Sequence, residues 1–140
     1  MAVRILAVAF AGFLVLIVIL ANQGRLYDFV PDPNQYPGGD KICHFVLMGT
    51  MAFLANLSFK GAAIFLAGWR WYLGSVLVML FVVIEEFSQI FLDGRNFDLV
   101  DLAADVLGIM LLGSLGGRMG VKSRMKLKHK FPKGQEPSRS

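Results

Sequence analysis

Four long runs of apolar residues, separated by shorter polar stretches, dominate the chain. They cover residues 3–21, 42–59, 71–92 and 99–115. Each is close to the ~20 residues that an α-helix needs to cross a hydrocarbon core of about 30 Å. An apolar segment at 61–69 is too short to cross and is predicted to join the second and third runs as a tight turn or an interfacial piece. The pattern predicts an all-α polytopic membrane protein, a bundle of four transmembrane helices.

Composition supports the membrane class. Apolar residues make up 56% of the 140 residues and charged residues only 17%, whereas soluble domains have roughly 45–50% and about 25%. Cys43 is the only cysteine, so an internal disulfide is impossible and a cysteine-built zinc site has no ligands. The first run has a signal-peptide alternative because Arg4 precedes it. Ile19 and Ala21 make a poor cleavage site, which favours a retained helix.

Charge divides the chain into a predicted membrane domain, residues 1–117, and a basic tail, residues 118–140. The first part carries six basic and nine acidic residues, and the tail carries eight basic and one acidic. Basic residues beside a span favour the cytoplasmic side and can contact anionic lipid. With four spans, both termini are therefore predicted to be cytoplasmic. The tail is predicted to be disordered and solvated, and binding of nucleic acid is disfavoured.

The most informative residues are polar and lie in the apolar runs or directly before them. Three of them, His44, Glu86 and Asp105, come from three different runs and lie at a similar depth, about 6–10 Å below the outer boundary. An unpaired charge there costs roughly 2.5–3.5 kcal/mol on insertion scales, so these groups are expected to face each other or a water-filled cleft. The polar residues are Asp40, Lys41 and His44 at the start of the second run, Glu85, Glu86 and Gln89 near the end of the third, and Asp98, Asp101 and Asp105 at the start of the fourth.

The order and spacing of these residues resemble the VanZ-like family of small bacterial membrane proteins. The resemblance covers roughly residues 40–116, and Asp105 stands where the family pattern often has Asn. It implies a multi-pass protein of the bacterial cytoplasmic membrane, and the founding member is associated with low-level resistance to the glycopeptide teicoplanin. The matching motifs are Asp40-Lys41-x-x-His44, Glu86-x-x-Gln89, Arg95 after a short turn, and Asp101-x-x-x-Asp105-x-x-Gly108.

Three functions are compatible with this cluster. One is binding of a lipid or cell-wall precursor headgroup in an outward-facing polar pocket, and another is an enzyme acting on a lipid-linked phosphate or headgroup. The third is a small proton-coupled transporter, which the uncharged inner half of the spans disfavours. Candidate catalytic residues are Glu86, His44 and Asp105, and candidate substrate-binding residues are Asp40, Lys41, Gln89, Arg95 and Asp101.

Simpler interpretations stand beside these. Asp40 and Asp98 are suited to cap the helices that follow them. A divalent cation can be held by such a cluster, but an ion-pair network uses the same residues equally well, so no metal is assigned and the cofactor is open. Small residues on the fourth run favour close helix packing, with formation of a homo-oligomer as the alternative. These are Ala104, Gly108, Gly113 and Gly117.

Overall fold

The computed structural model describes residues 1–91 and 98–130 and is mostly helical. The long helices are α1 (Ala2–Asn22), α2 (Gly39–Ser58), α3 (Leu73–Gln89) and α4 (Leu99–Lys130). Two short 3-10 turns, at Leu26–Asp28 and Pro33–Gln35, lie in the connection between α1 and α2. A two-stranded antiparallel hairpin, β1 (Ala63–Leu66) and β2 (Trp69–Tyr72), separates α2 from α3.

Three of the described helices are long and apolar enough to cross a membrane. They are α1, α2 and the part of α4 that ends at Lys126. Helix α3 has 17 residues, which at 1.5 Å per residue gives about 25 Å, a little less than a hydrocarbon core. The predicted helical class is therefore confirmed, and by length and composition three of the described helices are compatible with membrane spans.

The helices run in alternating directions. The Ser58 hydroxyl at the end of α2 donates to the carbonyl oxygen of Val3 at the start of α1, 3.4 Å away. At the opposite end, Lys41 at the start of α2 contacts Asp98, which immediately precedes α4. Helix α3 begins beside the last turns of α2 and ends beside the first turns of α4. The N-termini of α2 and α4 thus lie at the same end of the bundle as the C-termini of α1 and α3.

Helices α2 and α4 form the most extensive contact, and small residues allow it. A Cβ atom placed on Gly49 of α2 would lie 2.9 Å from the carbonyl oxygen of Gly108 on α4, and one on Gly108 would collide with the carbonyl oxygen of Phe45. The two backbones therefore touch directly, as in close-packed membrane helices. An apolar core surrounds this contact and consists of Leu14, Met48, Ala52, Ala55, Val78, Val82 and Ile109.

One buried polar network holds three helices together below the apolar core. The Asn56 side chain is fully buried. Its amide nitrogen donates to the Ser75 hydroxyl at 2.7 Å and to the Gly113 carbonyl oxygen at 2.9 Å, and its oxygen accepts from the Ser75 backbone N–H at 3.1 Å. Both N–H groups and the oxygen of this buried amide thus have partners, which offsets the cost of removing them from water.

The hairpin replaces the predicted turn or interfacial piece. Ala67 and Gly68 both have positive φ angles, 51° and 78°, as a two-residue type I′ hairpin turn requires. The strands extend to Tyr72, so the third helix begins at Leu73 and is shorter than the predicted run of 71–92. Large apolar side chains on the hairpin are exposed, including Phe65 at 80% and Trp69 at 72%.

Helix α4 is longer than its apolar run. The sequence predicts a span that ends at residue 115, whereas the helix continues to Lys130 and includes most of the basic residues of the predicted tail. A helix continues past an apolar run when its residues favour helix, and Met, Lys, Arg and Leu after residue 118 are good helix formers.

Candidate functional site

An open cleft of about 810 Å³ lies at the end of the bundle where α2 and α4 begin. One wall is apolar and comes from the last turns of α1, with Leu14, Ile17, Val18 and Ala21. Part of the rim comes from the α1–α2 connection, with Leu26, Tyr27, Val30, Pro31 and Pro33. The lining from α2, α3 and the start of α4 is mixed. Its polar residues are Asp40, His44, Glu85, Gln89, Asp98 and Asp101, and α2 adds Cys43, Leu47 and Met48.

Lys41 lies at the centre of a group of three carboxylates. Its Nζ atom is 2.6 Å from Asp101 Oδ1, 2.9 Å from Asp98 Oδ2 and 3.2 Å from Asp40 Oδ2. The three acids come from α2 and from the start of α4, so the ammonium group joins the two helix N-termini. One positive charge shared among three negative charges leaves this part of the cleft acidic.

Asp98 has two roles at the start of α4. Its Oδ1 atom accepts the Val100 backbone N–H at 2.8 Å, as an N-cap carboxylate does, while Oδ2 accepts from Lys41. Both hydrogen bonds favour the charged carboxylate, so first the Lys41 ammonium and then the Val100 N–H hold the pKa of Asp98 below its usual range. The predicted capping role of Asp98 is confirmed.

His44, Asp105 and Glu86 form a second group, deeper in the bundle. The Nδ1 atom of His44 lies 3.2 Å from both carboxylate oxygens of Asp105. A ring nitrogen of His44, an oxygen of Asp105 and an oxygen of Glu86 all lie within 4.8 Å of one another. Glu86 and Asp105 are each 1% exposed. The three candidate catalytic residues are therefore brought together, and their place between α2, α3 and α4 is buried.

Gln89 connects the end of α3 to the cleft. Its side chain is 4% exposed, and its amide nitrogen donates to Glu85 Oε1 at 2.8 Å. Both residues line the cleft. Because Glu85 lies four residues before Gln89, the two side chains are neighbours on one face of the helix.

Most of the predicted site residues lie close together in the structure. The structure brings together His44, Glu86 and Asp105 in the deep group, and Asp40, Lys41 and Asp101 in the outer group, while Gln89 lines the same cleft. Arg95 lies outside the described residues.

One predicted role is wrong, and two residues of the predicted polar cluster had no assigned site role. Asp40 does not cap α2, because the helix begins at Gly39 with Gly38 as its N-cap, and Asp40 is instead in the first turn and contacts Lys41. Asp98 and Glu85 line the cleft; the sequence places both in the polar cluster, but neither was assigned a catalytic or a binding role. The signal for Asp98 was present, since it lies three residues before Asp101 and faces the same side of the chain.

Comparison with known proteins gives no match: no family model, curated protein or solved structure is similar to the chain. The function has to be inferred from the residues of the cleft themselves.

The described part of the cleft carries more acid than base. Among the described residues that line it, His44 is the basic one. Lys41 lies beside the lining and is already shared by three of its carboxylates. A surplus of hydrogen-bond acceptors suits ligands that bring N–H, O–H or cationic groups. The carboxylates of Asp40, Glu85, Asp98 and Asp101 line the cleft, and those of Glu86 and Asp105 lie in the deep group beside it.

Proposed function

We propose that the protein is a four-span VanZ-like protein of the bacterial cytoplasmic membrane whose cleft binds the headgroup of a lipid or of a lipid-linked cell-wall precursor. The single observation that carries the proposal is the two-sided character of the cleft. Apolar side chains of α1 line one part of the cleft of about 810 Å³, whereas its acidic side chains come from α2, α3 and the start of α4. A ligand with a hydrocarbon part and a polar head matches both parts, because each surface finds a partner of its own kind.

The alternating helix directions support α3 as the fourth span. Helix α2 ends at one end of the bundle and α4 begins at the other, so the chain between them has to return across the bundle. Helix α3 makes that return, and the exposed hairpin before it supplies Trp69 and Trp71, residues typical of the membrane–water interface. We assign both termini to the cytoplasm from the basic end of α4, which places the cleft at the outer surface.

The charge of the cleft favours a headgroup that donates hydrogen bonds. Amine, amide and hydroxyl groups can pair with the carboxylates of Asp40 and Asp101 in its lining. A bare phosphate meets a less favourable surface, since Lys41 already has three acidic partners. Binding of an anionic lipid is therefore the second form of the proposal. It requires that the Lys41 ammonium group give up one of its carboxylate contacts in order to contact the phosphate.

The two forms are distinguished by the lipids that the protein retains. The full chain is extracted into nanodiscs directly from bacterial membranes, and the bound lipids are identified by mass spectrometry. We expect wild type to be enriched in a lipid with an amine, amide or hydroxyl headgroup, and Asp101→Asn to lose that enrichment. Lys122→Ala is the matched control, because Lys122 is an exposed charge at the far end of α4.

Each outcome assigns the ligand class. Enrichment of an anionic lipid that disappears in Lys41→Ala and persists in Asp101→Asn would establish the second form. Bulk lipid composition in wild type and in all variants would overturn headgroup binding and leave the cleft as an ion-pair network. If wild type is enriched in a headgroup lipid, expression of wild type and of Asp101→Asn in a susceptible bacterium tests whether teicoplanin sensitivity changes together with headgroup binding.

A membrane enzyme is the second candidate function, and the buried carboxylate of Glu86 beside His44 favours it. A buried acid beside an imidazole can transfer a proton during reaction at a headgroup. In that case Glu86→Gln accumulates an unmodified lipid where wild type retains its product. The transporter alternative has less support, because direct backbone contact at Gly49 and Gly108 closes the α2–α4 interface below the cleft.

A further inference from the structure

The deep group of His44, Glu86 and Asp105 combines ligand atoms from three different helices. One nitrogen and two oxygen atoms, one from each residue, lie within 4.8 Å of one another. Glu86 and Asp105 are each 1% exposed, and the His44 side chain is 20% exposed. Two acids and an imidazole are thus gathered in the interior of a bundle where most neighbours are apolar.

The distances within the group suit a shared small cation. Ions such as Zn²⁺ hold imidazole nitrogen and carboxylate oxygen at about 2.0–2.2 Å, so two ligand atoms on one ion are separated by roughly 3 to 3.5 Å. His44 Nδ1 lies 3.2 Å from each oxygen of Asp105. The existing separation of these two residues is therefore already that of two ligands on one metal ion.

An ion-pair network does not account for the buried carboxylate of Glu86. Its Oε2 atom is buried and has no hydrogen-bond partner among the described residues. A buried carboxylate oxygen without a partner is costly, because it has lost water and gained nothing in exchange. Among the side chains that the structure describes, no lysine or arginine forms an ion pair with Glu86 or Asp105.

The neighbouring group of Asp40, His44 and Asp101 also has ligand atoms within 4.8 Å of one another, but its charge is already compensated. Lys41 contacts both acids, at 3.2 Å and 2.6 Å. A metal ion there would have to displace an ammonium group. The same two acids lie 4.0 Å from Nε2 of His44, which is too far for a direct hydrogen bond.

We propose that His44, Glu86 and Asp105 form a binding site for one divalent transition-metal ion, with Zn²⁺ as the representative species. One imidazole with two carboxylates leaves at least one coordination position open for water or another ligand, as in metal sites that bind substrates. The imidazole favours a transition metal over Mg²⁺, which prefers oxygen ligands and keeps its water. The site does not depend on headgroup binding and can exist without it.

Direct metal analysis of the full chain tests the proposal. The protein is purified in nanodiscs through a tag without histidine, incubated with Zn²⁺ in the presence of excess Mg²⁺, and analysed by elemental mass spectrometry and titration calorimetry. We expect about one Zn²⁺ per wild-type chain. Glu86→Gln and Asp105→Asn, which keep the side-chain shape, are each expected to weaken Zn²⁺ binding at least about tenfold. Size-exclusion chromatography and circular dichroism identify the variants that fold.

Two matched controls decide where the ion binds. Asp28→Asn removes an exposed acid outside the cleft, and Asp101→Asn removes an acid of the neighbouring group, so both are expected to retain Zn²⁺ binding. The proposal is overturned if wild type binds no Zn²⁺, or if folded Glu86→Gln and Asp105→Asn bind as wild type does. It is also overturned if Asp101→Asn alone loses the ion. Unchanged lipid retention in all these proteins would count against the headgroup proposal but not against the metal site.

Discussion

The contact between α2 and α4 has two parts that use opposite kinds of residue. Near the helix N-termini the contact consists of charged groups, with Lys41 against Asp101 and His44 against Asp105. One to two turns further along, it consists of Gly49 against Gly108, where the backbones themselves touch. The same pair of helices thus changes from a polar site to a closely packed seam within a few residues.

The difference between the two parts shows how the site is positioned. Gly108 lies three residues after Asp105, and Gly49 lies five after His44, so each glycine is within about 8 Å along the helix of its charged neighbour. Backbone contact is stiff because it has no side chain that can rotate away. The glycine seam therefore sets the separation at which the long, flexible polar side chains of the first part meet.

The largest loss of stability is expected when a substitution forces the Gly49–Gly108 contact apart. Gly108→Ala places a methyl group against the carbonyl oxygen of Phe45, and neither backbone can move without shifting a helix. We expect a loss of roughly 1–3 kcal/mol in the free energy of unfolding, measured by titrating SDS into mixed micelles and following circular dichroism.

Gly12→Ala is the matched control for this substitution. Gly12 is also in a helix, but an added Cβ atom there meets no other atom within 4 Å. Its stability is expected to be at least that of wild type, because Ala has the higher helix propensity. Equal losses in the two variants would show that the α2–α4 seam is not packed as described.

A smaller effect is expected in the charged part when its central cation is removed. Lys41→Met keeps the length of the side chain but leaves Asp40, Asp98 and Asp101 to repel one another. We expect a loss of stability smaller than that of Gly108→Ala, since Lys41 is partly exposed and water screens its interactions. The loss is expected to diminish with added salt and to be partly restored when Lys41→Met is combined with Asp98→Asn. A loss that ignores salt would indicate that the methylene chain, and not the charge, is what matters.

The smallest effect concerns pH and Asp98. Because the folded state lowers the pKa of this carboxyl, its stabilising contribution is present above the usual value of 3.8 and is lost as the pH falls through the lowered value. The Asp98→Asn variant keeps a side chain that is able to cap α4. We therefore expect wild type to be more stable than Asp98→Asn at pH 7 and the two unfolding curves to converge under acid conditions. A gap that stays constant across this range would contradict a role for the Asp98 charge.

The sequence predicted the helices well because apolar length is a strong signal. Runs of about 20 apolar residues located α1, α2 and the first part of α4. The hairpin was missed since its strands, Ala63–Leu66 and Trp69–Tyr72, have only four residues each and its turn includes Ala67, a residue without the usual signal for positive φ. The end of α4 was missed because the apolar run ends at residue 115, whereas the residues that follow it still favour helix.

The site was predictable as a set of residues but not as two groups. Helical periodicity puts Asp98, Asp101 and Asp105 on one side of α4, and equal depth predicts that His44 and Glu86 meet them. Periodicity does not determine which acidic side chain contacts Lys41 and which contacts His44. That pairing depends on the separation and rotation of α2 and α4, which are set by the glycine seam. Asn56 was missed for a similar reason, because a single amide in an apolar run becomes informative only when its partners are known.

Helix α4 carries positive charge beyond its apolar part on one continuous helix. It has 32 residues, which corresponds to about 48 Å, well beyond the ~30 Å of a hydrocarbon core. Arg118, Lys122 and Lys126 repeat every fourth residue, so each lies about 6 Å further along the axis and is turned by about 40° from the one before. An insertion of one residue after Gly117 would rotate these charges by about 100° around the axis, so the helix determines the direction in which they point as well as their height.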